Sequence, residues 1–156
     1  MSKFNERLTL VANLSVVVGI AFLAVELHQN TQAIHGQTRD AITEKQMTYY
    51  GWIGLNRDAA DVFGRGNAVG VMGLEDPDRQ MYRMMVAGIL REFENSRYQY
   101  EQGLFAPDEL EARVVRWRRM MRLQGWRDIW GDERETIAPG FRAEIDRIVA
   151  EVEGGA

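Results

Sequence analysis

The sequence predicts an all-α protein: an N-terminal transmembrane helix running into a long polar stalk helix, followed by a small antiparallel helical bundle. Three observations predict it. From Leu8 to Val25 no residue is charged (LTLVANLSVVVGIAFLAV). Beyond that segment apolar residues recur at helical spacing, and no stretch alternates apolar and polar residues as a half-buried strand would. The three prolines, Pro77, Pro107 and Pro139, each open such a helical run. The chain divides accordingly into a membrane anchor helix over 1–26, a stalk helix over 27–55 and a bundle over 56–156.

The charge-free segment is 18 residues long, at the short end of what crosses a hydrocarbon core of about 30 Å. Its flanks are polar: Lys3, Glu6 and Arg7 before it, Glu26, His28, Gln29 and Asn30 after it. A cleaved signal peptide needs small residues at −1 and −3. Ala24 has Phe22 at −3 and fits poorly, whereas Gly19–Ile20–Ala21 fits better. A buried core helix of a soluble bundle is the plain alternative, and a single membrane-embedded helix is the preferred reading. Inside the span Thr9, Asn13 and Ser15 are polar. An amide in lipid needs a partner, which singles out Asn13. Ala12, Ser15 and Gly19 form a small-residue stripe, continued by Phe22, on a different side from Asn13; such a stripe lets helices approach closely in a membrane.

From Glu26 to Tyr50 there is no proline and one glycine, Gly36. Leu27, Ile34 and Ala41 recur every seven residues with Ile42 beside them, a thin apolar stripe on a polar helix. Gly36 and Gly51 are the positions where this helix is expected to bend or end. A short helix is expected around Arg57–Phe63, with Asp58 near its start. The run GRGNAVGVMG (Gly64–Gly73) then reads as a loop. No strand precedes it and no G-K-[ST] follows, so it is not read as a phosphate loop.

Helices are predicted at 77–102, 107–124, 126–134 and 139–152. Asp76 is the expected N-cap of the first, with Pro77 at its first position. Asp108 and Glu109 suit the start of the second. Gly103 and Gly125 are the expected C-caps of the first two. Each long helix has an apolar face: Met81, Tyr82, Met85, Val86, Ile89, Phe93, Ser96 and Tyr100; Leu110, Val114, Trp117 and Met121; and Phe141, Ile145, Ile148, Val149 and Val152.

Composition excludes much chemistry. With 46% apolar residues, 15 glycines and 3 prolines among 156 residues, the chain is neither disordered nor fibrous. The absence of cysteine excludes disulfides, thiol nucleophiles, iron–sulfur clusters and thiolate zinc sites. His28 and His35 lie about 10 Å apart along a helix, too far for one metal. No Glu-x-x-His pair suits a di-iron bundle. No catalytic residue, metal or cofactor is implied, and a net charge of −4 argues against nucleic acid as a partner. Six arginines crowd 113–127 (Arg113, Arg116, Arg118, Arg119, Arg122 and Arg127), and the sharp reading is a surface for an anionic ligand, a lipid headgroup, an acidic partner or, least favoured, RNA. The plainer reading is a solvated face matched by acids of the tail: Asp128, Asp132, Glu133, Glu135 and Glu144. Glu92, at the edge of a core stripe, is either a functional carboxylate or a structural acceptor for an arginine or a loop backbone. The four tryptophans read as core or interfacial anchors.

ELHQNTQA (Glu26–Ala33), EFENSRYQYEQGLF (Glu92–Phe105) and WGDERETIAPGFRAEID (Trp130–Asp146) together resemble a family of small bacterial proteins. In that family an apolar amino-terminal helix runs into a Q-N-T-x-A-like stretch and a helical domain. Most of the chain is covered. The resemblance implies a membrane-anchored helical protein and no activity. The expected function is therefore a non-enzymatic protein acting by protein–protein contacts, as a homo-oligomer or an accessory subunit of a membrane complex, with other membrane-protein subunits and membrane lipid as partners. The alternative is a lipid- or small-anion-binding protein, or an enzyme, using the Arg113–Arg127 surface or Glu92. A pocket over Glu92 would favour that alternative. The expected location is the bacterial inner membrane, single-pass. Lys3, Arg7 and the terminal amine favour the amino terminus inside.

Overall fold

The computed structural model describes residues 2–155, and among them every regular element is a helix, with no strand. The α-helices are α1 (Ser2–Gly54), α2 (Arg57–Val69), α3 (Asp78–Glu101), α4 (Pro107–Met121), α5 (Gln124–Glu133) and α6 (Pro139–Gly154). Short 3₁₀ turns lie at Val71–Gly73 and Arg134–Thr136. The chain forms two units, residues 1–37 and 38–156, so α1 contributes to both.

The first unit is the amino-terminal part of α1. Its apolar side chains from Leu8 to Val25 are all exposed, by 55–69% for the large ones. The hydroxyls of Thr9 and Ser15 are not free: each donates to the carbonyl four residues back, Asn5 and Val11, at 2.9 Å. Among the described residues no hydrogen bond reaches the Asn13 amide, which leaves it as the unpaired polar side chain of the span. Neither Gly36 nor Gly51 ends the helix, which continues to Gly54.

The second unit starts within the expected stalk. Ile42, Gln46, Tyr49 and Ile53 follow the i, i+4, i+7, i+11 spacing of one helix face. Ile42 is 2% exposed, Tyr49 is buried and Ile53 packs on the core. Leu27, Ile34 and Ala41, the stripe expected from the sequence, stay exposed. The buried stripe is thus offset by one residue from the heptad reading.

The glycine-rich run behaves differently from expectation. Asn56 caps α2, its side-chain oxygen accepting from the backbone N–H of Asp58 and Ala59 at 3.0 and 3.2 Å. The helix then runs through Gly64 and Gly66 to Val69, and turns at Gly70, whose φ of +75° suits glycine. Gly66 sits in the helix because of what crosses it: a Cβ there would strike the Tyr82 ring. Gly125, expected as a C-cap, is instead buried inside α5. A Cβ on it would lie 2.6 Å from the Gly66 carbonyl oxygen and would meet the Tyr82 hydroxyl. These two glycines let α2, α3 and α5 approach closely, and Asn67 bridges them by accepting from the Tyr82 hydroxyl and the Trp126 indole, both at 3.0 Å.

Other boundaries sit near their expected places. α3 begins at Asp78, with Pro77 rather than Asp76 as its cap residue. Gly103, at φ +70°, closes α3: its N–H reaches Tyr100 O at 2.9 Å and that of Leu104 reaches Gln99 O at 3.0 Å, the paired bonds of a Schellman ending. Pro107 and Pro139 open α4 and α6. The core is centred on Phe93 of α3, which stacks on Trp126 at 5.9 Å and leans on Trp117 at 5.7 Å. Phe141 of α6 meets Trp117 and Trp130 edge-on. Met81, expected on the core face, is 38% exposed, while Leu90 is fully buried. The carboxyl of Asp146 accepts from the Trp130 indole at 2.9 Å and from Arg134 at 2.6 Å, tying α5 to α6. Those bonds, that from Arg134 foremost, hold its pKa below the ordinary carboxylate range.

Candidate functional site

A groove of about 500 Å³ lies between the carboxy-terminal turns of α1 and one face of α3. α1 supplies Lys45, Thr48, Tyr49, Trp52 and Ile53, which succeed one another at helical spacing. α3 supplies Met84, Met85, Gly88, Ile89, Glu92 and Asn95 along one stripe, with Arg91 beside it. Long side chains rather than close backbones join the two helices, and Gly88 contributes no side chain, so the space between them stays open. Trp52 is 72% exposed and Met84 69% exposed, so the walls are apolar out to solvent.

Glu92 lines this groove and is 7% exposed. Its Oε1 accepts from Arg113 Nη1 at 2.9 Å, Ser96 Oγ at 3.1 Å and Gln46 Nε2 at 3.2 Å. The Arg113 side chain is itself 16% exposed, and its guanidinium lies 4.9 Å from the centre of the Phe105 ring. A structural acceptor for an arginine is one of the two roles expected for Glu92, and the geometry of Oε1 matches it. Oε2 differs: it is buried and has no partner.

Two neighbours share that condition. Tyr49 Oη and Asn95 Nδ2 are also buried and unpartnered, and both residues line the same groove. Burial pushes the Tyr49 phenol above its ordinary pKa, an effect that the nearby Arg116 charge opposes. Buried polar atoms in folded proteins are nearly always hydrogen-bonded, and each exception costs about 1–3 kcal/mol. Three in one apolar groove mark it as the most unusual place in the second unit.

The arginines of 113–127 do not gather into one anion site. Arg113 turns to Glu92, and Arg116 lies over the rings of Tyr50 and Tyr49 at 5.1 and 5.9 Å. Arg118 pairs with Glu151 at 3.2 Å, and Arg127 reaches Glu153 at 3.6 Å. Arg119 and Arg122 make no ion pair among the described residues. A surface hollow of about 620 Å³ includes Arg118, Arg122 and Arg127, but Glu151 and Glu153 line it as well. Intramolecular pairing is therefore the rule, although the partners are not the expected acids: Asp132 pairs with Arg83, Glu135 with Arg134 and Arg142, and Glu144 with Arg97. Ala12, Asn13, Ser15 and Gly19 all lie on the exposed helix of the first unit, and a Cβ on Gly19 would meet nothing within 4 Å.

Sequence reasoning singled out Glu92 and read Trp52 only as a core or interfacial anchor, and it passed over Tyr49 and Gly88. The signal available was the Ile42, Gln46, Tyr49, Ile53 spacing, which marks a docked face on α1. Comparison of the chain with protein-family models, with curated proteins and with solved structures gives no match.

Proposed function

We propose that this is a membrane-anchored, non-enzymatic helical protein that acts through protein–protein contacts, with Leu8–Val25 as a single span and the second unit as an independently folded helical domain. The observation that carries the reading is the exposure of the whole span. Its most apolar stretch has a mean hydropathy of 2.4 and is 0% buried, while the core of the chain is assembled from Ile42 onward. A helix that is apolar on every side belongs inside a protein or a bilayer. The core of this chain does not use the span, and exposed apolar surface of that extent marks a membrane or protein contact. The resemblance to the family of small membrane-anchored bacterial proteins points the same way, as does the charge bias that favours the amino terminus inside the bacterial inner membrane.

The full-length protein is expected to pellet with membranes, to resist extraction by high salt and to be released by detergent. Recovery in the supernatant without detergent overturns the reading. Deletion of residues 1–26 is expected to leave a soluble, helical domain.

Within the span, support for self-association, or for seating against another subunit, comes from the unpaired Asn13 amide and the Ala12, Ser15 and Gly19 stripe. Interhelical hydrogen bonds in lipid contribute about 0.6–2 kcal/mol each. Gly19→Leu is expected to weaken association without unfolding the domain, and Asn13→Leu to do so less. A monomeric native mass in mild detergent, with no partner co-purifying, overturns this part.

A further inference from the structure

We infer that the groove between the carboxy-terminal turns of α1 and α3 binds a neutral amphiphile: an apolar chain or ring carrying a head, such as a primary amide or alcohol, that both donates and accepts hydrogen bonds. The volume, about 500 Å³, lies within the roughly 300–1,000 Å³ of sites that take small organic ligands. The walls, from Trp52, Ile53, Met84 and Ile89, suit a hydrocarbon body.

The head is read from the three unpartnered atoms. Glu92 Oε2, on a side chain more than nine-tenths buried, needs a donor; Asn95 Nδ2 needs an acceptor; Tyr49 Oη takes either role. Charge selects among heads that satisfy them. The Glu92 charge is already matched by Arg113 at 2.9 Å, so a second cation gains little there and faces Lys45 and Arg91, which also line the groove. An anion meets the Glu92 carboxylate without a proton to offer. A neutral head that gives one hydrogen bond and receives another leaves no charge uncompensated.

The test uses the full chain in phosphatidylcholine nanodiscs, or in buffer if the chain proves not to be membrane-bound, so its outcome is separate from that of the anchoring experiment. Four probes share one chain length: octanamide, 1-octanol, octanoate and octylammonium. The readouts are the Trp52 indole N–H and Asn95 side-chain amide signals in proton–nitrogen NMR spectra. Octanamide and 1-octanol are expected to shift both signals saturably, and the two charged probes to do so about tenfold more weakly or not at all. Gly88→Leu supplies the block. A Cβ on Gly88 meets nothing within 4 Å, a leucine suits a helix interior better than glycine, and Gly88 lines the groove, so the added side chain takes up space there. It is expected to weaken octanamide binding about tenfold or more while leaving the fold intact. Asn95→Leu is expected to remove the preference for the neutral heads, read at Trp52. Monoolein doped into the nanodisc tests a membrane lipid as the source of the same head chemistry; if it shifts the signals as added octanamide does, the natural ligand is a lipid, and if only the soluble probes act, it is a soluble molecule. Absence of saturable shifts with all four probes means that the groove takes no such ligand and overturns the proposal. So does tighter binding of octanoate or octylammonium, or octanamide binding that Gly88→Leu leaves unchanged.

Discussion

Leu8–Val25 of α1 and Tyr82–Ser96 of α3 are both helical segments that carry many apolar side chains, yet the chain treats them in opposite ways. In α3 the apolar residues occupy one stripe: Tyr82, Val86, Ile89, Leu90 and Phe93 are buried, while Arg83, Arg91 and Glu94 lie off it and pair with Asp132, with Thr136 and with one another. In Leu8–Val25 the apolar residues cover every side and none is buried. A stripe is a demand for one partner surface, and the chain supplies it. All-round apolarity is a demand for an apolar surrounding, which one chain of this size does not supply to it. The two differ in amount as well as in pattern: Leu8–Val25 carries no charge, whereas Tyr82–Ser96 holds two arginines and two glutamates.

The sharpest way to break the comparison is to damage each region alone. Trp117→Ala removes an indole that touches Phe93 and Phe141 in the core. It is expected to cost about 3–5 kcal/mol of domain stability in urea unfolding, with membrane pelleting unchanged. Val17→Arg, in the middle of the exposed span, is expected to do the reverse. Domain unfolding stays the same, while insertion is disfavoured by about 2.5–3.5 kcal/mol and the protein shifts from the membrane fraction. If Val17→Arg instead unfolds the domain, the span is part of a core after all.

A smaller effect tests the glycine contact. Gly66→Ala puts a methyl group into the buried Tyr82 ring, which has no room to withdraw, and is expected to cost about 1–3 kcal/mol. The same change at Gly64, where a Cβ meets nothing within 4 Å, is expected to be neutral or stabilising. Equal effects at the two sites would mean that α2 does not pack as described. Glu92→Leu, which leaves Arg113, Ser96 and Gln46 without their shared acceptor, is expected to cost about 1–3 kcal/mol, and Glu92→Gln, which keeps an acceptor oxygen for them, less.

The smallest expected effect is a pH dependence. Asp146 has a folded pKa lowered from the ordinary 3.8 by Arg134 and Trp130. A carboxyl lowered in this way contributes stability that is present above 3.8 and is lost as the pH falls through its folded value. Urea midpoints should therefore decline on acidification below pH 3.8, and Asp146→Asn should lower the midpoint at neutral pH while flattening that decline. An unchanged acid profile in the variant would remove Asp146 from this role.

Much of this architecture is a local matter. Pro107 and Pro139 open helices wherever they stand, because proline has no N–H to lose at a first helical position. Gly103 closes α3 because its positive φ is a local requirement. The charge-free span is legible as an apolar helix from composition alone. The periodicity of α4 and α6 marked Trp117, Phe141 and Ile145 as core, and they are buried. Gly125 and the Gly64–Gly73 run were not legible in this way. A glycine reads the same whether it ends a helix or lets another helix approach it, and what separates Gly66 and Gly125 from Gly103 is the Tyr82 ring, which comes from elsewhere in the chain.

The groove falls on the same divide. The sequence by itself determined that Glu92 borders a core face and that α1 is helical beyond its apolar part. Only the tertiary structure decided that Arg113 and Gln46 converge on one oxygen of Glu92, and that its other oxygen, Tyr49 and Asn95 share one apolar groove beside Gly88. Helix propensity and hydrophobic period act over a few residues, so they are written locally. Which polar atoms find partners depends on where helices from distant parts of the chain come to lie, and that is fixed when the core packs.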